Sequence, residues 1–180
     1  MGMPGGRAWW SINMAKLAEI NQTRDFDQLT TLRPDGMTEA SQQLADALRV
    51  LQTECGLTDT ATVLGGFSQG AMVSTDVVLR RGCAPALLTL FSGTLLCRQE
   101  WTDLAAAHVG CRVLQSHGKV DPVLPLLPAT QLRDLLVQNN FNVEFREFYG
   151  PHTIPEPVLG RFGQLLTELL VGFEKNRNLA

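Results

Sequence analysis

Gly66-Phe67-Ser68-Gln69-Gly70 is a Gly-x-Ser-x-Gly pentapeptide lying directly after the apolar run Thr62-Val63-Leu64-Gly65. Such a serine can serve as a nucleophile when a sharp strand-to-helix turn strains its backbone and thrusts its hydroxyl beyond the end of a sheet. Glycines two residues before and after let the strand and helix approach without Cβ clashes. At ordinary Gly and Ser usage the pentapeptide would arise by chance in roughly one chain in twenty of this length, so its context has to decide. Downstream, Met72, Val73, Val77 and Arg80 recur at helical spacing, Arg80 and Arg81 close the run, and Gly82 stops it. Strand, turn and helix is the setting such a nucleophile needs. The other reading is an ordinary glycine-rich turn, or a phosphate cradle. The glycines do not fit Gly-x-Gly-x-x-Gly, and no Gly-Lys-Ser/Thr follows.

A serine hydroxyl reacts poorly at neutral pH. It needs a neutral imidazole to take its proton and a carboxylate to fix the imidazole tautomer and stabilise the imidazolium. Three histidines are available: His108, His117 and His152. His108, in Ala105-Ala106-Ala107-His108, reads as a helix-surface residue. His117 precedes the acid candidate and reads as a hydrogen-bonding residue that shapes its loop. His152 follows the last strand in a loop flanked by Gly150 and Pro151, from which a base can reach the serine; the alternative is a histidine that only satisfies backbone groups before a helix. Asp121 closes the loop His117-Gly118-Lys119-Val120-Asp121-Pro122, and the alternative there is a plain turn aspartate before proline. Asp103 and Asp134 read as solvated charges, and Asp76 lies on the helix after the serine. Ser68, Asp121, His152 is the chain order of α/β-hydrolases.

These residues need a scaffold. Apolar positions Leu44, Leu48 and Leu51 predict a helix over 38–54, closed by Cys55-Gly56. Strands are predicted at 61–67, 86–91, 111–116 and 142–148. Helices are predicted at 127–138, with Leu132, Leu135 and Leu136 inward, and at 155–173. Residues 9–20 read as a partly helical cap packed by Trp9 and Trp10, and Pro34-Asp35-Gly36 as a turn. Alternating strands and helices imply a mainly parallel α/β sheet in one domain spanning 1–180. In such sheets functional groups gather at the carboxyl ends of strands, where Ser68, Asp121 and His152 all fall.

The 180 residues suffice for a real core, and the net charge of −3 argues against nucleic acid as a partner. No segment is long and apolar enough to cross a bilayer as a helix. Met1 to Gly6 lacks the apolar region of a signal peptide. Cys55, Cys83, Cys97 and Cys111 are scattered and read as reduced, mostly buried thiols of a cytoplasmic protein, and no ligand spacing supports a zinc site.

The chain resembles the carboxylesterase/phospholipase family of α/β-hydrolases that includes the acyl-protein thioesterases. The resemblance rests on Gly65 to Met72, on Leu90-Phe91-Ser92-Gly93, on Gln115-Ser116-His117-Gly118 through Asp121-Pro122-Val123-Leu124-Pro125, and on His152-Thr153-Ile154-Pro155. It implies an α/β-hydrolase fold, with Ser68 as nucleophile, Asp121 as acid, His152 as base and the Gln69 backbone N–H as an oxyanion donor. No cofactor is implied. The substrates implied are small acyl esters or thioesters, including lysophospholipids and S-acylated proteins. Leu124 and Leu126, with Leu127 and the neighbouring prolines, would line an acyl groove or simply bury the start of the 127–138 helix.

Family members carry a region before the Trp9-Trp10 segment, with strands and a loop that gives a second oxyanion amide. This chain's pattern begins beyond it, so the fold is expected to be N-terminally shortened, with a sheet edge open. Losing one such donor typically costs about a hundred- to a thousand-fold in rate. The alternative to an active esterase is therefore a catalytically impaired hydrolase-like piece that binds or forms a homodimer.

Overall fold

The computed structural model describes residues 7–107 and 110–177. His108 and the segment Met1 to Gly6 therefore lie outside the described residues. The element order is α1 (Met14–Thr23), α2 (Asp27–Thr30), α3 (Met37–Cys55), a 3-10 turn (Asp59–Ala61), β1 (Val63–Phe67), α4 (Gln69–Arg81), β2 (Leu87–Phe91), α5 (Arg98–Ala106), β3 (Arg112–Gly118), α6 (Leu126–Gln138), β4 (Asn142–Phe148) and α7 (Glu156–Arg177). The four strands form one parallel sheet in the order β1-β2-β3-β4, each joined to the next by a helix. This is the α/β architecture that the alternating pattern implies.

The period of two along a strand assigns the sheet's faces. Leu88 and Leu90 of β2 join the larger core, with Val73 and Val77 of α4, Trp101 of α5 and Leu132 and Leu136 of α6. Leu87 and Phe91 point the other way and pack with Leu114 of β3 against Val158 and Leu165 of α7. Strand β2 is buried on both faces, which is why Leu87 to Phe91 is a nearly unbroken apolar run rather than an alternating one. Each such leucine stabilises the fold by about 1.5–3 kcal/mol relative to an exposed position.

Helix α4 is buried from Ala71 to Leu79 and ends at Gly82, which takes the left-handed conformation (φ 63°). The buried stretch includes a charge. Asp76 is fully buried. It accepts hydrogen bonds from Ser41 Oγ (2.6 Å), Trp101 Nε1 (2.9 Å) and the Arg80 guanidinium (3.2 Å), and Arg80 also pairs with Glu100 at 2.8 Å. Burial alone would raise the Asp76 pKa, but the bonds from Arg80, Ser41 and Trp101 outweigh it and hold the carboxyl below its ordinary range. One carboxylate thus joins α3, α4 and α5.

Several expectations are corrected by packing. Of the periodic α3 positions, Leu44 and Leu48 pack against the core but Leu51 is 58% exposed, and the helix also buries Met37, Ala40, Ser41 and Ala45. Only Trp10 of the tryptophan pair is buried in the cap, and its helix is shifted to Met14–Thr23. Helix α2 has no counterpart in the sequence reading, and α5 matches it only at Ala105 and Ala106, where a helix was expected. Of the four free thiols, Cys97 and Cys111 are buried, Cys83 is half-buried and Cys55 is exposed.

Candidate active site

Ser68 joins β1 to α4 with φ 56° and ψ −118°, a conformation that L-residues rarely hold. Its amide is tied to the end of β2 by a 2.8 Å bond to the Phe91 carbonyl. The turn is tight enough that a Cβ on Gly66 would lie 2.5 Å from the Gly70 carbonyl carbon, so no side chain fits there without moving the backbone. Gln69 opens α4, where the first amides have no intrahelical acceptor and the helix dipole is positive. An anion developing on an acyl carbonyl would find its donor there.

Asp121 stands beyond the end of β3, and its side chain is fully buried. Its Oδ1 accepts the amides of Val123 (2.8 Å) and Leu124 (2.9 Å), and its Oδ2 lies 2.7 Å from His152 Nδ1. Burial would raise the Asp121 pKa, but the bonds from His152, Leu124 and Val123 outweigh it and leave the carboxyl below its ordinary value. An ionised carboxylate only accepts, so His152 Nδ1 carries the proton. A neutral ring in that tautomer leaves a lone pair on Nε2, as a general base requires. The His152 ring lies on Phe67, the residue before the serine, with centroids 4.6 Å apart. Among the described residues no hydrogen bond joins Ser68 to His152; catalytic bonds are often long before substrate binds.

Three features hold the His152 loop. Ser92 Oγ donates to the Thr153 carbonyl at 3.2 Å. The amides of Lys119 and Val120 bond the Phe148 and Gly150 carbonyls. Gly118 lets the loop sit directly on β3, since a Cβ there would overlap the carbonyl oxygens of Gly150 and Pro151. His117 is fully buried. Its Nε2 donates to the Leu124 carbonyl (2.7 Å) and lies 3.5 Å from Asp121 Oδ2. Burial pushes its pKa down, which keeps the ring neutral.

A cavity of about 530 Å³ opens beside Ser68 and Gln69, lined mainly by apolar groups that include Trp10, Leu17, Met72 and Leu124. Leu126 lies apart from it, in a separate cavity of about 410 Å³ with Arg24, Lys119 and Leu127. The structure therefore puts Leu124 near the serine and Leu126 elsewhere, because the chain turns into α6 between them. Sequence reasoning missed Ser92, Asn21 and the Gln69 side chain. Ser92 carries a detectable signal, being the residue after a buried strand; the other two carry none. Among the described residues no cluster of His, Cys, Asp or Glu could hold a metal ion.

The fold agrees with the comparisons. The phospholipase/carboxylesterase family profile matches residues 2–167, and the chain belongs to that family. It is 27% identical over 152 residues to acyl-protein thioesterase 1 of Neurospora crassa, covering 76% of this chain and 62% of that protein. The crystal structure of esterase PE8 superposes with a TM-score of 0.66 at 28% identity, over 74% of this chain and 62% of that one. That of Zea mays acyl-protein thioesterase 2 has a TM-score of 0.57 at 22% identity, over 76% and 65%, and supports the fold alone. The chain thus spans 62% of the length of these first relatives.

Proposed function

We propose that this chain hydrolyses carboxylic esters or thioesters through Ser68, Asp121 and His152. The observation that carries the reading is the 2.7 Å Asp121–His152 bond, with the imidazole laid against the residue preceding a strained serine. Family membership and the homologous esterases and thioesterase support the same reaction class.

In the proposed reaction Ser68 Oγ attacks the acyl carbonyl as its proton passes to His152 Nε2. Asp121 stabilises the resulting imidazolium. The tetrahedral oxyanion takes a hydrogen bond from the Gln69 N–H. Collapse breaks the bond to the leaving oxygen or sulfur, which departs with the proton from His152. Water then attacks the acyl-serine, giving its proton to His152, and the proton returns to Ser68 as the carboxylic acid leaves. The apolar cavity beside Ser68 would take the acyl portion, with Leu124 in its wall. Lysophospholipids and S-acylated proteins are the substrates this reading favours. A cytoplasmic place of action fits the four free thiols, and no helix among the described residues is long and apolar enough to cross a membrane.

The test is labelling with a fluorophosphonate, which needs an activated serine. The wild-type chain should label at Ser68, Ser68→Ala should not label, and His152→Ala should label at least about a hundredfold more slowly. Labelling indifferent to both substitutions sinks the reading.

A further inference from the structure

One wall of the cavity is held by two side chains that no step of the reaction uses. Residues 9–23 cross beside Ser68 as a strap: the bend at Trp9-Trp10, then α1. A helix of 10 residues is marginal by itself. It buries only Leu17 and Ile20, and the segment before it buries Trp10. At the strap's start, Gln69 Oε1 accepts the Trp9 amide at 3.1 Å and Gln69 Nε2 donates to the Trp10 carbonyl at 3.0 Å. One side-chain amide thus bonds a backbone donor and a backbone acceptor of the strap, on adjacent residues. At its end, Asn21 Nδ2 donates to the Pro122 and Val123 carbonyls, both at 3.2 Å. Asn21 therefore grips the loop whose amides bind Asp121.

We propose that Gln69 and Asn21 are positioning residues that set acyl-chain selectivity, by fastening this wall at one end to the serine turn and at the other to the acid loop. The inference rests on the esterase reading above. The two anchors differ in kind. Gln69 offers its backbone N–H to the oxyanion and its side chain to the wall, so both functions hang on one residue. Asn21 touches neither the serine nor the histidine. A short acyl group reaches only the serine turn and needs no wall. A long one lies along Leu17, Trp10 and Leu124, and its binding depends on where α1 stands. Loss of an anchor should therefore weaken long-chain binding selectively.

The experiment compares wild type, Gln69→Ala, Gln69→Glu and Asn21→Ala on p-nitrophenyl acetate and p-nitrophenyl octanoate, together with amide hydrogen exchange of residues 9–23. In both alanine variants the octanoate-to-acetate ratio of kcat/KM should fall at least fivefold, through KM for octanoate. Exchange in the strap should quicken at least tenfold while β2 and β3 keep theirs. Gln69→Glu keeps the acceptor for Trp9 but loses the donor to Trp10, so it should fall between Ala and wild type. A ratio that stays constant while both rates drop together would overturn the proposal in favour of general destabilisation, as would unchanged strap exchange. Should the wild-type chain neither turn over an ester nor label with fluorophosphonate, the esterase reading and the selectivity fall together. The exchange measurement would then still decide whether these two side chains hold the wall.

Discussion

The two halves of the candidate site are held by different means. The acid–base half is held by hydrogen bonds: the Asp121 carboxylate receives His152, Val123 and Leu124 within 2.9 Å, and His117 fixes the Leu124 carbonyl. The nucleophile half has no comparable set around the serine hydroxyl. Backbone sterics at Gly66 hold the turn in front, and behind it α4 is pinned by the buried Asp76. Their sheet environments differ too. Val63 and Phe67 of β1 lie in register with Leu87 and Phe91 of β2, yet each is 38% exposed while their partners are 0% and 6% exposed. In the half that would position a charge, the Asp121 side chain is buried, where hydrogen bonds are strong and must be satisfied, while its partner His152 follows the other edge strand, β4. The half that would position an atom for attack follows the edge strand β1, where backbone shape does the positioning.

Substitutions can break each half by its own mechanism. The largest effect is expected from Asp121→Asn, whose amide offers no negative charge and can present an N–H to His152, favouring the wrong tautomer. Its kcat on an activated ester should fall about 10³–10⁴-fold, with near-wild-type circular dichroism. A loss below tenfold would mean that the carboxylate is a turn residue only. Next is Asp76→Ala, which leaves the Arg80 guanidinium and the Trp101 N–H without their buried partner. It should cost about 1–3 kcal/mol in urea unfolding, as expected when buried donors lose their acceptor while Arg80 keeps Glu100. Gly66→Ala should cost about 1–3 kcal/mol, because its Cβ meets backbone rather than a flexible side chain. Gly163→Ala provides the contrast. Nothing lies within 4 Å of a Cβ built there, inside α7, so that variant should gain about 0.5–1 kcal/mol of stability.

The pH dependence separates the halves most gently. Folded His117 has its pKa below the ordinary 6.5. The unfolded chain therefore binds the proton first, and stability should decline as pH falls below about 6.5. Asp121 and Asp76 have folded values below 3.8. Their contribution is complete above that pH and lost as pH falls through the folded values. A melting temperature followed from about pH 7 to pH 5 should drop in the wild type and drop less in His117→Gln. Equal slopes would remove His117 as the group responsible.

Much of the site was legible because its signals are local. Gly66 to Gly70 specifies a turn by steric need alone, and β1 to α4 follow from a short apolar run and a helical repeat. Asp121 and His152 were legible as polar residues in loops after strands and as an acid and its base; the Val123 and Leu124 amides that hold the carboxylate were not. Asp76 was legible as a residue of the helix after the serine, but its burial was not, because its neighbours in sequence say nothing of Ser41 and Trp101, which meet it from α3 and α5. Leu51 keeps the helical period of Leu44 and Leu48, which pack against the core, yet is itself 58% exposed near the end of α3.

The sequence by itself determined the strands, the longer helices beside them, their alternation, and the residue types at the strand ends, because periodicity and turn chemistry act over a few residues. Tertiary structure alone decided which apolar positions are covered, which carboxylate is buried and which side chains reach across. Gln69 and Trp9 are 60 residues apart, and Asn21 and Pro122 are 101 apart. Bonds over such separations follow from how helices stack on a sheet, and no local pattern of residues encodes that stacking.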